Sequence, residues 1–145
     1  MKPTLLFLLL MLLIRPTTTL ASPPPSDRID SLLLVLNKSE GKDRLPLLDE
    51  LSWELAEINP DTALVLAHEQ FELADWLNDE TALGQAHGNI AGAYWGKGQY
   101  KEAIDHYMEG VAIRGRIGDR KGDANYLNNM GLTYQNMANY TLALE

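Results

Sequence analysis

The sequence predicts an all-α chain whose short helices stack as antiparallel pairs, an α-α superhelix. Beyond residue 26, apolar residues recur at three- and four-residue steps, the spacing that gathers them on one face of a helix. No segment sustains alternation of apolar and polar residues, so no strand is expected. The periodic segments are separated by Asn-Pro, Asn-Asp or Gly-Asp, pairs that stop one helix and cap the next.

The first residues stand apart from this pattern. Lys2 precedes an unbroken apolar run from Leu5 to Ile14, about half the length needed to cross a ~30 Å hydrocarbon core. Thr19 and Ala21 supply the small residues of a signal-peptidase site with cleavage after Ala21. Residues 1–21 are therefore expected to be a signal peptide, and the mature chain to be periplasmic or extracellular. Arg15 directly behind the apolar run is the feature that would leave the segment uncleaved, as a tether. Pro23-Pro24-Pro25 make residues 22–26 an extended spacer.

Residues 27–44 form a short N-terminal helix and loop. Ile29, Leu32, Leu33 and Leu36 share one face of a helix over 27–37, and Gly41 ends it. A second helix over 45–58 aligns Leu48, Leu51, Leu55 and Ile58. Asn59-Pro60-Asp61 breaks it and starts a third, which runs to about Leu77. Asn78-Asp79 stops that helix and caps a fourth, from Thr81 to Lys97. After a turn at Gly98-Gln99 a fifth covers 101–117, Gly118-Asp119 repeats the stop and cap, and a sixth reaches Met137. A seventh is expected to begin near Thr141.

With 145 residues the chain has room for one modest domain or a few repeats. It has no Cys, which excludes disulfides, thiol nucleophiles and thiolate metal sites. Twenty acidic against 12 basic residues give a net charge of -8, which argues against nucleic acid as a partner, since phosphates reward basic clusters. Removing residues 1–21 leaves 10 basic against 20 acidic side chains. No stretch of the mature chain is long and apolar enough to span a bilayer, and no membrane contact by the repeat region is expected.

A shift of 40 residues aligns Asp79 with Asp119, Asn89 with Asn129, Tyr94 with Tyr134, Tyr100 with Tyr140 and Ala103 with Ala143. The identities fall at the cap, at candidate core aromatics and at small contact residues, as an internal repeat requires. An earlier copy matches Leu51-Ser52 to Ile90-Ala91 and Leu55 to Tyr94. The run Asn89-Ile90-Ala91-Gly92-Ala93-Tyr94, followed by Tyr100 and Ala103-Ile104, resembles the tetratricopeptide repeat, as does Asn129-Met130-Gly131 through Tyr134 to Ala143-Leu144. The resemblance covers 45–145 as units of about 45–78, 79–118 and 119–145, the last one incomplete. Units near 40 residues exceed the usual ~34 and are similar to those in exported sensory regions of bacterial signalling proteins. Pro46, Ser52 and His87 depart from the family pattern. In such a stack each hairpin buries one side and leans on the next. Ala91 and Gly131 would permit close approach, and Tyr94, Tyr100, Tyr134 and Tyr140 would fill the spaces between helices. Because the sequence stops inside a helix, it reads as the N-terminal part of a longer protein, or as a molecule that self-associates end to end.

No catalytic or metal-binding constellation is legible. His68, His87 and His106 lie 19 residues apart on three helices, without a second ligand at a helical step, so packing or surface roles are expected and no metal or cofactor. No nucleophile elbow or phosphate loop occurs, and the carboxylates read as the solvated faces of amphipathic helices. The segment is expected to be non-enzymatic. One pattern calls for more: Gly84, Gly88, Gly92 and Gly96 recur along one helix, each costing about 1 kcal/mol of helix stability relative to Ala. Either they permit close helix packing with Trp95 buried, or they form the floor of a binding groove. The resemblance implies that first helices of successive units line such a groove, with Gly88, Asn89, Gly92, Trp95 and Gly96 beside Asn125, Asn128, Asn129, Gln135 and Asn136. Amides there would bond a peptide main chain and Trp95 would anchor an apolar side chain. The expected function is thus an exported scaffold binding a protein or peptide segment. The alternative is the periplasmic input module of a larger bacterial kinase, cyclase or transcriptional regulator.

Overall fold

The computed structural model describes residues 25–144, with side chains from 27 to 139. The signal peptide expected at 1–21 and residues 22–24 of the spacer lie outside the described residues. Six helices pack together: α1 (Pro25–Leu36), α2 (Arg44–Leu55), α3 (Pro60–Trp76), α4 (Glu80–Gly96), α5 (Tyr100–Ile117) and α6 (Arg120–Leu144). A short 3-10 turn over Gly41–Asp43 precedes α2. No strand occurs among the described residues, and the fold is all-α with the packing of an α-α superhelix.

Local chemistry sets the boundaries. Pro25 opens α1, two residues ahead of the expected start, because its fixed φ suits a first helical position. The Asn59 side-chain oxygen accepts the Thr62 N–H at 3.2 Å and Pro60 takes the first position of α3. Asn78 adopts φ +54, and the Asp79 carboxylate then accepts the Ala82 N–H at 3.0 Å. That backbone bond holds the Asp79 carboxyl below its ordinary range, and Lys42 at 3.2 Å adds to it. Asp119 repeats the cap through the Gly122 N–H at 3.0 Å.

Two expectations need correction. The second helix ends at Leu55 rather than Ile58; Ile58 sits in the following turn and is exposed. The seventh helix does not exist as a separate element, since α6 runs without a break to Leu144. The turn between α4 and α5 depends on Gly98 at φ +72, and the residue one repeat later is Ala138. A Cβ disfavours the left-handed conformation, so the helix continues.

Consecutive helices pack as neighbours from α2 to α6, and α2 also meets α4. Leu36 of α1, Leu48, Leu51 and Leu55 of α2, Ala63 and Leu66 of α3 and Ala93 of α4 form one core cluster, with Ile29, Leu32 and Leu33 packed on it. A second core joins Ala91 to Ala103 and Tyr107. Ala91 thus permits close approach as expected, but Gly131 is exposed with nothing near the place of a Cβ. Tyr134 is 49% exposed and Tyr94 and Tyr100 are only half-buried. The side chain of Tyr140 lies outside the described residues. Alignment by repeat assumed that α6 would be covered as α4 is, whereas α6 packs mainly against α5. The aromatic rings that fill the space there are Tyr107 and Tyr126, whose centroids lie 5.7 Å apart.

Two of the three histidines meet between α4 and α5. His87 Nδ1 and His106 Nδ1 are 3.2 Å apart, Phe71 meets His87 edge-on at 5.3 Å, and Tyr94 stacks on His106 at 5.6 Å. His68 stays exposed on α3. Burial, above all, pushes both His87 and His106 below the ordinary imidazole range, against the opposing pull of Glu109 on both and Asp105 on His106. Above the ordinary imidazole value of about 6.5 both states are neutral and the contribution is complete. Below it the unfolded chain takes up protons that the folded pair resists, so stability falls as pH drops. The thermal midpoint is expected to be lower at pH 5 than at pH 7.5, and replacing both residues by Gln to shrink that difference. A difference unchanged by the double substitution would assign it to other groups.

Candidate functional site

The open side of the helix stack carries two adjoining cavities of about 360 and about 450 Å³. They share Trp53, Glu54, Tyr107 and Asn129 and so form one groove. One wall is α2, the floor is α4, and α6 closes the other side with Asn129, Leu132 and Thr133. Trp53 is 64%, Ile58 64% and Leu132 50% exposed, so large apolar side chains stand at the mouth of the groove.

Five of the residues expected in a groove line it: Gly88, Asn89, Gly92, Trp95 and Asn129. Asn125, Asn128, Gln135 and Asn136 line neither cavity. The reason is helical register. On α6 the inward stripe runs through Gly122, Tyr126, Asn129, Met130 and Thr133, while Asn125, Asn128 and Gln135 point to solvent and half-buried Asn136 lies past the cavities.

Asn89 lies in the groove wall without being free to bind. It is 6% exposed, and its amide nitrogen donates to Asp49 Oδ1 and to Gln70 Oε1, both at 2.8 Å. Gln70 also donates to Asp49 Oδ1 at 3.2 Å. One buried polar network therefore ties α2, α3 and α4 together beneath the groove, and its satisfied partners specify how the three helices meet.

The glycines divide by function. A Cβ at Gly84 would stand 3.3 Å from Ile113, and one at Gly96 would overlap the carbonyl oxygen of Ala56. Gly88 and Gly110 form a slot for the Tyr126 ring: a Cβ on Gly88 would strike the phenol oxygen, and one on Gly110 would come within 2.6 Å of Cε2. In that slot the Tyr126 hydroxyl donates to the Gly84 carbonyl at 2.9 Å and accepts from Arg114 Nη2 at 2.9 Å. The Arg114 guanidinium also sits 4.4 Å over the ring and pairs with Asp119. Close packing accounts for Gly84, Gly88 and Gly96. Of the four, only Gly92 opens onto the apolar cavity of about 360 Å³, with Ala56 Cβ its nearest neighbour at 3.8 Å.

The family model for the tetratricopeptide repeat matches residues 81–145. That segment is a tetratricopeptide repeat region. Among curated proteins none matches the chain. In the repeat region, α4 and α5 form a complete helix pair and α6 begins the next, which places α4 and α6 as the helices that face the groove. Tetratricopeptide repeats mediate protein–protein interaction.

Sequence reasoning passed over Tyr107, Tyr126, Trp53, Arg114 and the acidic residues of α2. Asp49, Glu50 and Glu54 all line the groove, as does Glu57 at its apolar end. Glu50, Glu54 and Glu57 recur at four- and three-residue steps, a stripe that was legible but read as plain solvated surface. Burial pushes the Tyr107 phenol up to about 12 and raises Tyr126 as well, so both remain neutral at physiological pH. Among the described residues no group of three or more His, Asp or Glu side chains is placed to hold a metal ion, and no helix is long and apolar enough to cross a membrane.

Three substitutions separate structure from site. Asn89→Ala takes the donor from the buried Gln70 Oε1 and leaves Asp49 with Gln70 alone, and is expected to cost about 2 kcal/mol in denaturant unfolding. Gly96→Ala is expected to destabilise by roughly 1–3 kcal/mol, because backbone must move. Gly92→Ala has room for its methyl group and is expected to stabilise by up to about 1 kcal/mol through helix propensity. Equal effects of the two glycine changes would contradict the packing described.

Proposed function

We propose that the chain is an exported, non-enzymatic scaffold that holds a peptide or protein segment in the groove between α2, α4 and α6. The observation that carries this reading is the exposure of Trp53, Ile58 and Leu132 around the cavity floored by Gly92 and Trp95. Apolar side chains clustered at a concave surface reward a partner that covers them, and aromatic residues dominate the energetics of such contacts. Asn129 offers an amide beside them for a main-chain hydrogen bond. Export rests on the short apolar run Leu5 to Ile14 and the small residues ending at Ala21.

Peptides selected by display on the purified repeat protein are expected to compete with one another and to lose at least about tenfold in affinity on Trp95→Ala, the scale of one anchor residue. Affinity unchanged by Trp95→Ala and Leu132→Ser, in variants with intact circular dichroism, would remove the groove from the function. N-terminal sequencing of the secreted protein is expected to begin at Ser22. A cytoplasmic protein that keeps residues 1–21 would remove export.

A further inference from the structure

The groove is electrically one-sided. Asp49, Glu50 and Glu54 of α2 and Glu57 of the turn after it stand along one wall, and the two cationic side chains that reach the groove are Arg28 and Arg114. Both guanidiniums are engaged inside the molecule. Arg28, from α1, pairs with Glu50 and lies 3.3 Å from Glu54, while Arg114 is held by Asp119 and the Tyr126 hydroxyl. Asp49 accepts only the neutral amides of Gln70 and Asn89, and Glu57 makes no ion pair among the described residues. The wall therefore already accommodates one guanidinium at its α1 end. Farther along it, Glu54 and Glu57 share the apolar cavity with Trp53 and Trp95, and among the described residues Arg28 alone makes an ion pair with either of them.

We propose that the partner segment is basic, with a Lys or Arg side chain seated at Glu54 and Glu57 against the faces of Trp53 and Trp95 and apolar side chains on Ile58 and Leu132. This deepens the groove reading and rests on it. Carboxylates give such a cation its charge complement, and indole faces attract cations while covering the aliphatic stem. An acidic segment would meet four carboxylates and no uncommitted cation. A second copy of this chain, at a net charge of -8, would meet the same repulsion.

The test uses fluorescence titration of a Trp76→Phe protein, so that emission comes from Trp53 and Trp95. The probes are three blocked heptapeptides alternating Leu with Lys, with Gln or with Glu. The Leu–Lys peptide is expected to bind, the Leu–Gln peptide to bind about tenfold more weakly and the Leu–Glu peptide not at all, with Leu–Lys affinity falling as salt rises. Glu54→Gln with Glu57→Gln is expected to erase the preference for Lys. Glu57→Gln alone, which breaks no ion pair, should halve it or more and serves if the double variant fails to fold. Equal binding of the Leu–Gln and Leu–Lys peptides, both lost on Trp95→Ala, would overturn the basic partner and leave the groove standing. Leu–Lys binding indifferent to Trp95→Ala, or no binding by any probe at millimolar concentration, would overturn both. A salt-insensitive dimer seen by sedimentation, with the groove tryptophans quenched in it, would replace the basic segment with a second copy.

Discussion

Helix α4 is the middle of this molecule, and how closely its neighbours approach it decides everything around it. Ala82, Gly84, Ala86, Gly88, Asn89, Ile90, Ala91 and Ala93 are all buried, so the helix is covered on most sides by α2, α3, α5 and the Tyr126 ring of α6. Only a helix clad in Gly and Ala can be approached from so many directions at once. Its low helix propensity is offset by tertiary packing, the usual source of helical stability in proteins. Ala56 comes in over Gly96, Ile113 over Gly84, and Tyr126 over Gly88. Remove that clearance and the groove loses its floor and its α6 wall together.

Around this centre, two polar devices fix orientation where apolar packing alone is permissive. The Asp49–Gln70–Asn89 network sets α2 and α3 against α4. The Arg114–Tyr126 pair, anchored on the Gly84 carbonyl, sets α6 against α4 and α5. The first network pairs its amides with Asp49, and the second bonds the Tyr126 hydroxyl on both sides while leaving Arg114 Nε buried without a partner; a misplaced helix would leave further desolvated polar groups behind. The groove between them is what remains uncovered once both are satisfied. The exposed Trp53 ring and Glu57, which makes no ion pair among the described residues, are the groove surface that those contacts leave over.

The repeat relation is informative where it holds and where it fails. Asp79 and Asp119 occupy equivalent caps and behave alike, each accepting a backbone N–H of the following helix. Asn89 and Asn129 are equivalent in sequence and differ in environment: the first is locked beneath the groove, the second lines both cavities. Tyr94 and Tyr134 diverge in the same way, since α4 has helices on several sides and α6 chiefly on one. A repeat carries its contacts only as far as its neighbours repeat too.

What the sequence determined was local: helix type, because the apolar spacing and caps are set within a few residues, and the tetratricopeptide repeat over residues 81–145, because its small and aromatic positions are legible one by one. It also marked Gly88, Asn89, Gly92, Trp95 and Asn129 as belonging to one surface. Tertiary structure decided their roles. Whether a glycine admits a ligand or a tyrosine depends on what the next helix places above it, and whether an asparagine binds outward or inward depends on Asp49 and Gln70, distant in the chain. The continuous α6, the paired histidines and the acidic stripe facing the groove were settled in the same way, because rotation of one helix against another is fixed by the sum of its packing partners and not by its own residues.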